Sequence, residues 1–368
     1  MTEFIKGMDL STLLEVEAHG GKFYDGGPAE DAVELLKRYG MNLVRLRLWN
    51  DPYSEAGEPY GAGTNDLEKT VTMARRLKRA GVDWLLDLHY SDFWADPGKQ
   101  NIPKAWRGMT VPQLRLAVYD YTCRVLLRLA REEAAPAMVA VGNELTNGML
   151  WPYGRVPEYQ NLADFLSAGI RAVRQTLPGV PVMLHLDNGG NNELYRRWFD
   201  HYFACGGQDF EYIGLSYYPF WHGSLEDLRA NMHDLARRYG KDMIVAEVSM
   251  GFTLDDYAAY EQLPPEKRKG MATKSALAEK VPYPMTPEGQ RRFMQDFLDV
   301  LRGVPDGRGR GFVYWEPAWL PVPGVGWATE AALAYTGEQG PGGNEWANQA
   351  LFDYDGHRLS ALEVIRDF

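Results

Sequence analysis

The sequence predicts a (β/α)8 barrel, formed as a single domain by residues 1–368. Eight short apolar runs alternate with amphipathic stretches, a pattern typical of parallel strands joined by right-handed helical crossovers. The chain exceeds the roughly 250 residues of a typical barrel, and the excess fits two long connections, 248–283 after strand seven and 316–353 after strand eight. The first connection, 11–15 (STLLE), lacks the glycines that mark a doubly wound sheet. A closed barrel is therefore favoured over that alternative.

The eight predicted strands are runs of four to eight residues that are rich in Val, Ile, Leu and aromatic side chains. Their nearly continuous apolar character is typical of parallel strands that are covered on both faces. In chain order, they are 4–10, 42–49, 84–89, 138–141, 182–186, 212–217, 243–246 and 311–315.

Two of the intervening helices have ends that can be predicted. Residues 286–288 (TPE) provide a cap, a proline in the first turn and an acidic residue, after which apolar residues recur at helical spacing. Ser224 and Asp227 form a capping-box pattern at the start of a second helix. That helix should stop near Gly240, because glycine readily adopts the left-handed conformation that ends helices.

The composition narrows the classes of function. A net charge of −11 argues against nucleic acid as a partner, because phosphate backbones need a basic surface. It is compatible with a neutral substrate. No stretch is long and apolar enough to span a membrane, so we expect no membrane partner. Cys123 and Cys205 give neither metal-ligand spacing nor a disulfide framework, and both are expected to be buried inside helices.

The first seven residues, MTEFIKG, contain no basic start followed by an apolar run. We therefore expect no signal peptide and, for the chain as it stands, a cytoplasmic location. A secreted protein whose leader had been removed would look the same, so both locations stay open.

Polar residues end most of the predicted strands, where the active sites of such barrels lie. Period-two alternation places Arg45 and Arg47 opposite the apolar residues of strand two, so both arginines should point into the barrel. Buried charges are costly unless they are paired, so these residues form either a structural ion-pair network or a catalytic pocket. The set comprises Arg45, Arg47, Asp87, His89, Asn143, Glu144, His185, Asp187, Tyr217, Glu247, Trp315 and Glu316.

Glu144 and Glu247 stand out because each closes an apolar strand, the predicted strands four and seven. These strands lie on opposite sides of an eight-membered ring, so the two carboxylates should flank the pocket. Cleavage of a glycoside needs such a pair, because one carboxyl group protonates the leaving oxygen while the other stabilises or attacks the anomeric carbon.

Tryptophans support a sugar as the ligand. Nine of the 11 fall at strand ends or in the connections that follow strands. Some will serve only to pack loops, but an indole also stacks well on the apolar face of a sugar such as galactose. The nine are Trp49, Trp94, Trp106, Trp151, Trp221, Trp315, Trp319, Trp327 and Trp346.

Nine segments, spread over almost the whole chain, match one family of barrel enzymes. They are 7–11 (GMDLS), 42–49 (NLVRLRLW), 87–100 (DLHYSDFWADPGKQ), 141–144 (VGNE), 185–189 (HLDNG), 214–219 (GLSYYP), 246–247 (AE), 314–317 (YWEP) and 346–353 (WANQALFD). The chain thereby resembles glycoside hydrolase family 53, the arabinogalactan endo-β-1,4-galactanases of clan A. The strand-three segment is long enough to be specific, whereas the Asn-Glu pair alone marks only the clan.

The resemblance implies cleavage of β-1,4-galactan or galacto-oligosaccharides by a retaining double displacement. It gives Glu144 the role of acid/base and Glu247 that of nucleophile. Arg45 would lie beneath Glu247 and favour its ionised form. Asn143 would bind the sugar 2-hydroxyl, and Tyr217 would hydrogen-bond to the nucleophile. The sugar subsites would be lined by His89, Trp94, Asp187 and Trp315.

The retaining mechanism carries geometric expectations. The carboxyl groups of Glu144 and Glu247 should lie roughly 5–5.5 Å apart, which leaves no room for an intervening water. Glu144 should have a raised pKa, because it must hold a proton until the bond breaks. Arg45 should approach Glu247 rather than Glu144, because the nucleophile must stay ionised.

One departure from the family concerns calcium. Bacterial members often carry an Asp/Gly-rich calcium loop after strand seven, whereas here 251–260 reads GFTLDDYAAY and is followed by the basic run 266–269 (EKRK). Asp255 and Asp256 alone do not supply the six or so oxygen ligands that calcium requires. We therefore expect no bound metal and no cofactor. The same connection shapes distal subsites in relatives, so the preferred substrate length stays open.

Three alternatives share parts of this pattern. Another clan A glycosidase, such as a mannanase or a β-galactosidase, would share both glutamates but not the strand-three segment. A non-catalytic sugar-binding barrel would not need both carboxylates. A metal-dependent barrel isomerase or aldolase would use Asp87, His89 and His185 as ligands. The sequence also leaves open endo against exo action and the oligomeric state.

Overall fold

The computed structural model describes residues 3–255, 257, 275–339 and 342–368, and these contain a closed barrel of eight parallel strands. The strands are β1 (Ile5–Asp9), β2 (Leu43–Leu48), β3 (Asp83–Leu88), β4 (Met138–Val141), β5 (Val182–Leu186), β6 (Tyr212–Tyr217), β7 (Asp242–Val248) and β8 (Gly309–Tyr314). Each strand pairs with its neighbours in sequence, and β1 closes the ring by pairing with β8. The predicted (β/α)8 barrel is confirmed.

Helices alternate with the strands, as the apolar periodicity predicts. They are α1 (Leu13–Ala18), α2 (Ala32–Arg38), α3 (Leu67–Ala80), α4 (Val111–Arg131), α5 (Tyr159–Thr176), α6 (Asn192–Ala204), α7 (Leu225–Tyr239), α8 (Ser275–Ala278), α9 (Pro287–Arg302), α10 (Glu330–Thr336) and α11 (Ala361–Asp367). Two short antiparallel pairs, 23–24 with 29–30 and 148–149 with 154–155, lie in the connections after β1 and β4. No helix in the described part combines the length and the apolar composition that crossing a bilayer requires.

The strand faces divide the apolar core into two parts. Val44, Leu46 and Leu48 of β2 belong to the large cluster shared with the helices, whereas Leu43 belongs to a small cluster inside the barrel. Successive side chains of a strand point to opposite faces, so Arg45 shares the inner face with Leu43. The predicted inward direction of the two arginines of β2 follows from this alternation.

The ends of the two helices that the sequence predicted agree with the structure. Ser224 caps α7 through the backbone N–H of Asp227, and Gly240 ends it in the left-handed conformation with φ 61°. Thr286 accepts a hydrogen bond from the backbone N–H of Gly289 at the start of α9. These side-chain bonds satisfy backbone donors that the first helical turn leaves without partners.

Long connections follow β7 and β8, as predicted. The first leads to α9 and includes α8, and residues 256 and 258–274 within it lie outside the described residues. The second runs from Trp315 to α11 and includes α10. Both leave the barrel at the end where the strands have their carboxyl termini, so they help to build the mouth of the barrel.

The environment of the two cysteines differs from the prediction. Cys123 lies in α4, but Cys205 follows α6 as its C-terminal cap rather than lying inside a helix. Both are free and only half-buried. Cys123 is within 3.5 Å of the hydroxyl of Thr176 on the adjacent α5, a contact between helices at the surface of the barrel rather than in its core.

Candidate active site

A cavity of about 400 Å³ opens at the carboxyl ends of the strands. Its volume and partly aromatic lining are typical of a small-ligand site. Of the residues predicted from strand ends, it is lined by Arg45, Arg47, His89, Asn143, Glu144, Asp187, Glu247 and Trp315. Asp87, His185, Tyr217 and Glu316 belong to the predicted set but do not line it.

An ion-pair network lies beneath the cavity. Some of the strand-end residues therefore form a structural network, as one interpretation predicted, and others line the pocket, as the other predicted. Arg45 binds Asp9 at 2.8 Å and Asp87 at 2.7 Å, and Arg47 binds Glu316 at 2.6 Å and Asp9 at 3.2 Å. All five side chains are almost completely buried. Burial alone would raise the pKa of Asp87, but Arg45 and then His89 hold it at about 2. These pairs hold the charged groups of both signs in fixed positions beneath the cavity.

Glu144 owes its position to a left-handed turn that follows β4. Gly142 has φ 85° and Glu144 itself has φ 46°, a left-handed backbone conformation that few residues other than glycine adopt. Such strain is typical of functional positions. The turn carries the carboxyl group into the cavity, where it is only 9% exposed and its Oε1 lies 2.6 Å from the hydroxyl of Ser216.

Glu247 lies near the end of β7 with its two oxygens bound by different donors. Arg45 contacts Oε1 at 2.8 Å, and the hydroxyl of Tyr218 donates to Oε2 at 2.7 Å. An oxygen of Glu247 lies within 4.8 Å of an oxygen of Glu144. The predicted proximity of the two carboxylates and the predicted contact of Arg45 with Glu247 are therefore confirmed.

The surroundings of the two glutamates favour different protonation states. Burial raises the pKa of Glu144 well above its usual range, and the negative charges of Glu247 and Asp187 raise it further. Burial also raises the pKa of Glu247, but there Arg45 and the Tyr218 hydroxyl oppose the rise. A cation favours the charged form of a carboxyl group, and Arg45 binds Glu247, so Glu144 holds its proton more strongly than Glu247 does.

Tyr217 was predicted to hold the nucleophile, and this prediction is wrong. Its side chain packs beside Phe293 and Phe297 of α9, and its hydroxyl donates to the carbonyl of Gly223 at 2.9 Å. The next residue, Tyr218, points into the cavity and binds Glu247. The side chains of Ser216 and Tyr217 lie on opposite faces of β6, so Tyr217 faces the helices.

The four residues expected to line sugar subsites all line the cavity. His89, however, has both ring nitrogens occupied. Its Nδ1 accepts from the indole N–H of Trp49 and from the backbone N–H of Ala95, and its Nε2 lies 3.0 Å from Asp87. His89 therefore offers the cavity a ring edge, not a free nitrogen.

Asp187 differs from His89, because one of its oxygens is free. Its Oδ2 accepts from the side chain of Asn188, while its Oδ1 is buried without a hydrogen-bond partner among the described residues. Burial raises the pKa of Asp187 to about 6. An unpaired buried acceptor is costly unless a ligand supplies the donor, and Asp187 lines the cavity where a ligand would lie.

The tryptophans divide into two groups. Trp94, Trp221, Trp315, Trp327 and Trp346 line the cavity. Trp49, Trp106 and Trp319 are buried in the packing of the connections, and Trp151 lies away from the cavity, beside the guanidinium of Arg155. The indole of Trp94 has the guanidinium of Arg47 4.4 Å from its ring centre, which fixes the ring against the ion-pair network.

The site does not fit a metal ion in the part of the chain that the structure describes. Glu144, His185 and Glu247 come close enough together for one. Both nitrogens of His185 are already taken, however, by the side chains of Asn143 and Ser216 at 2.8 Å each. Asp255, one of the two aspartates considered as calcium ligands, is exposed. Asp256 and the basic run 266–269 lie outside the described residues.

Some site residues were not predicted as such. Asp9, Ser216 and Tyr218 belong to the segments that carry the family resemblance, yet none of the three was assigned a role. For Asp9, the signal was an acidic residue at the end of an apolar strand, as for the two glutamates. Trp221, Trp327 and Trp346 were predicted to lie near the mouth, without an assignment to the cavity.

Two buried carboxyl groups that face each other across a tryptophan-lined cavity, one of which holds its proton more strongly than the other, define the arrangement of a glycoside hydrolase site. Comparison with known proteins gives the particular family. Residues 5–365 match the model of glycosyl hydrolase family 53. The chain belongs to this family, as the resemblance implied.

Individual relatives cover nearly the whole chain. It is 40% identical over 372 residues to an uncharacterised protein from the bgaB 5′ region of Niallia circulans, covering 99% of this chain and 93% of the relative. It is 34% identical over 383 residues to an endo-β-1,4-galactanase of Bacillus subtilis, covering 99% and 86%. A solved family 53 catalytic domain from Ignisphaera aggregans superimposes with a TM-score of 0.90 at 38% identity, covering 99% and 96%.

Proposed function

We propose that this chain is a retaining endo-β-1,4-galactanase. The proposal rests on family membership and on a relative of 34% identity that is named an endo-β-1,4-galactanase. The observation that carries the mechanism is the approach of a Glu144 oxygen to within 4.8 Å of a Glu247 oxygen. Retaining enzymes hold their carboxyl groups about 5–5.5 Å apart, whereas inverting enzymes need about 6.5–9.5 Å to admit a water.

In the first step, Glu247 attacks the anomeric carbon while Glu144 gives its proton to the departing glycosidic oxygen. The bond between the sugar and its leaving group breaks as a bond to Glu247 forms, so the sugar becomes covalently attached. Arg45 and Tyr218 support this step, because both bind the carboxylate of Glu247 and keep it ionised before attack.

In the second step, Glu144 has become a carboxylate and acts as a base. It takes a proton from a water molecule, whose oxygen attacks the anomeric carbon and displaces Glu247. The two inversions together retain the β-configuration. The unpaired Oδ1 of Asp187 and the five cavity tryptophans are suited to binding sugar hydroxyls and the apolar sugar faces.

Removing the two carboxyl groups in turn tests these roles. Glu144→Ala should lose roughly 10²–10⁴-fold in activity on galactan, the usual contribution of a general acid. It should retain formation of the glycosyl-enzyme from an aryl galactoside, whose leaving group hardly needs a proton, and added azide should speed its turnover. Glu247→Ala should lose both substrates, because no covalent intermediate can form. Equal losses of Glu144→Ala on both substrates would contradict the assignment.

A substrate panel tests the specificity. Linear galactan, mannan, xylan and cellulose should be compared at equal concentration, with the products followed over time. We expect hydrolysis of galactan and an early mixture of oligosaccharides, the sign of endo action. Hydrolysis of mannan in preference to galactan would reject the proposed substrate, and accumulation of galactose alone from the start would reject endo action.

A further inference from the structure

A chain of four hydrogen bonds links Arg45 to the carboxyl group of Glu144. Arg45 Nη2 lies 2.8 Å from Asn143 Oδ1, which lies 2.8 Å from His185 Nδ1. His185 Nε2 lies 2.8 Å from Ser216 Oγ, which lies 2.6 Å from Glu144 Oε1. All five side chains are buried. The proton positions along this chain follow from its fixed end.

The amide of Asn143 has only one possible orientation. A guanidinium can only donate, so the atom that faces Arg45 must be the amide oxygen. The other end of the amide donates to the backbone carbonyl of Ala95 at 2.8 Å, and a carbonyl can only accept. The oxygen of Asn143 therefore accepts two hydrogen bonds, and His185 must carry a hydrogen on Nδ1 to donate one of them.

The imidazole of His185 is neutral in this setting. It is completely buried at the inner face of β5. Burial first, and then the positive charge of Arg45, lower the pKa of His185 to about 3, with His89 and His222 acting in the same direction and Asp87 against them. A neutral imidazole with its hydrogen on Nδ1 has a bare Nε2, so the hydroxyl of Ser216 must donate to it.

The single hydrogen of the Ser216 hydroxyl is therefore used by His185, and its oxygen remains only as an acceptor toward Glu144. We propose that Ser216 and His185 are positioning residues that hold the catalytic proton on Glu144, because the chain beginning at Arg45 is complete only when Glu144 is the donor. The proposal rests on the proposed role of Glu144 as acid/base. The charged groups that face Glu144 are Glu247, Asp187 and Asp96, all acidic, and they also favour the protonated form. A Ser216 hydroxyl that donated to Glu144 would lower its pKa, and the bond from this hydroxyl to His185 withholds that donation.

Through this chain of hydrogen bonds, Arg45 has opposite effects on the two glutamates. It binds Glu247 directly and favours its charge, while through three side chains it favours the neutral form of Glu144. To protonate the glycosidic oxygen, the O–H of Glu144 must turn away from Ser216 Oγ. Once the proton has been given up, the Ser216 hydroxyl turns from His185 to the new carboxylate. Among the five hydrogen-bonded side chains, the O–H bond of Glu144 is the covalent bond that breaks, and Nε2 of His185 loses its donor. The bond to His185 is regained when Glu144 takes a proton from water in the second step.

The tautomer of His185 tests the inference directly in the wild-type protein. Nitrogen NMR of ¹⁵N-histidine-labelled enzyme distinguishes protonated from bare ring nitrogens, and His185→Gln identifies the signal among the seven histidines. We expect a protonated Nδ1 and a bare Nε2 throughout the pH range of activity. A hydrogen on Nε2, in the neutral ring or in the imidazolium, would overturn the proposal.

The basic limb of the pH profile of kcat/KM, measured on a galacto-oligosaccharide, supplies a second test. In His185→Leu, the Ser216 hydroxyl no longer has to leave an acceptor when it turns to the Glu144 carboxylate. The limb should therefore move to lower pH by about half to one unit, the equivalent of one ordinary hydrogen bond. In a Ser216→Ala background, the same replacement of His185 should cause no shift. An upward shift, or equal shifts in both backgrounds, would overturn the proposal.

Two controls complete the design. His185→Gln supplies both a donor and an acceptor and should keep the limb near its wild-type position. Ser249→Ala removes another buried hydroxyl, one that bonds to Gln349 rather than to the chain, and should leave the limb unmoved. Glu144→Gln tests the proposed function separately: if Glu144 is not the acid/base, this variant will retain the basic limb. The NMR measurement of the His185 tautomer tests the positioning role and does not depend on that result.

Discussion

Replacing Tyr218 with phenylalanine is expected to move the acid limb of the kcat/KM profile to higher pH. The hydroxyl of Tyr218 donates to Oε2 of Glu247 at 2.7 Å, and this bond opposes the rise in pKa that burial causes. Without it, the carboxyl group binds its proton more strongly. The ionised nucleophile, and with it the activity, is then lost at a higher pH as the solution is acidified.

The size of the shift follows from the kind of bond that is lost. A hydrogen bond to a charged group contributes roughly 1.5–3 kcal/mol, and one pKa unit corresponds to about 1.4 kcal/mol. Arg45 remains bound to the other oxygen of Glu247 at 2.8 Å and limits the change. We therefore expect a shift of about one pH unit, and with it roughly a tenfold loss of kcat/KM at pH values on the acid side of the limb.

The neighbouring tyrosine provides a matched control. Tyr217→Phe also removes one tyrosine hydroxyl at the end of β6, but this hydroxyl faces the helices and donates to the carbonyl of Gly223. It should cost about 1 kcal/mol of unfolding free energy and leave the acid limb in place. Profiles should be measured on one aryl galactoside for both variants. An acid limb that moves in Tyr217→Phe and stays in Tyr218→Phe would refute the reasoning.

Two further predictions concern substrate binding and metal. Protonation of Asp187 below pH about 6 should remove the acceptor that its free Oδ1 offers to a sugar hydroxyl. KM for galactotetraose should therefore rise as the pH falls through this value, and Asp187→Asn should have a high KM without this pH dependence; a wild-type dependence in the variant would contradict the role. Treatment with a chelator should change neither activity nor Tm, because the family's Asp/Gly-rich calcium motif is missing after β7 and Asp255 and Asp256 alone do not supply the six or so oxygen ligands that calcium requires. A rise of several degrees on adding calcium would show that other ligands exist.

The sequence was sufficient for the architecture because barrel strands carry a strong local signal. Each strand is covered on both faces, so it is a short apolar run, and three of the eight have the predicted bounds without change, β4, β5 and β6. The inward direction of Arg45 and Arg47 followed from the same local geometry, since alternation along a strand needs no knowledge of its neighbours.

The error at Tyr217 has a different origin. Tyr217 ends β6 and Tyr218 follows it directly. Which of the two reaches the cavity depends on the alternation along β6 and on how that strand is paired. The register between β6 and β7 shifts at Leu215 and Ser216, so that Ser216 pairs with Glu247 itself. Alternation counted from Ser216 as an inward residue would have selected Tyr218, but nothing local to the sequence marks Ser216 as inward.

The hydrogen-bond chain could not be predicted from the sequence at all. Its members come from β2, β5, β6 and the turn after β4, and they lie up to 171 positions apart, from Arg45 to Ser216. The direction of each bond depends on the contact of Asn143 with a backbone carbonyl after β3. Such information exists only once the strands have closed into a ring.

The configuration of the first product tests the central claim most directly. If Glu247 attacks from a distance that admits no water, proton NMR during hydrolysis of a linear galacto-oligosaccharide should reveal the β-anomer first, with the α-anomer appearing only as mutarotation proceeds. The β-anomer should remain in excess of its equilibrium share at every stage before mutarotation is complete. Initial appearance of the α-anomer would mean direct attack by water, and it would contradict the role of Glu247 as nucleophile even if galactan is the substrate.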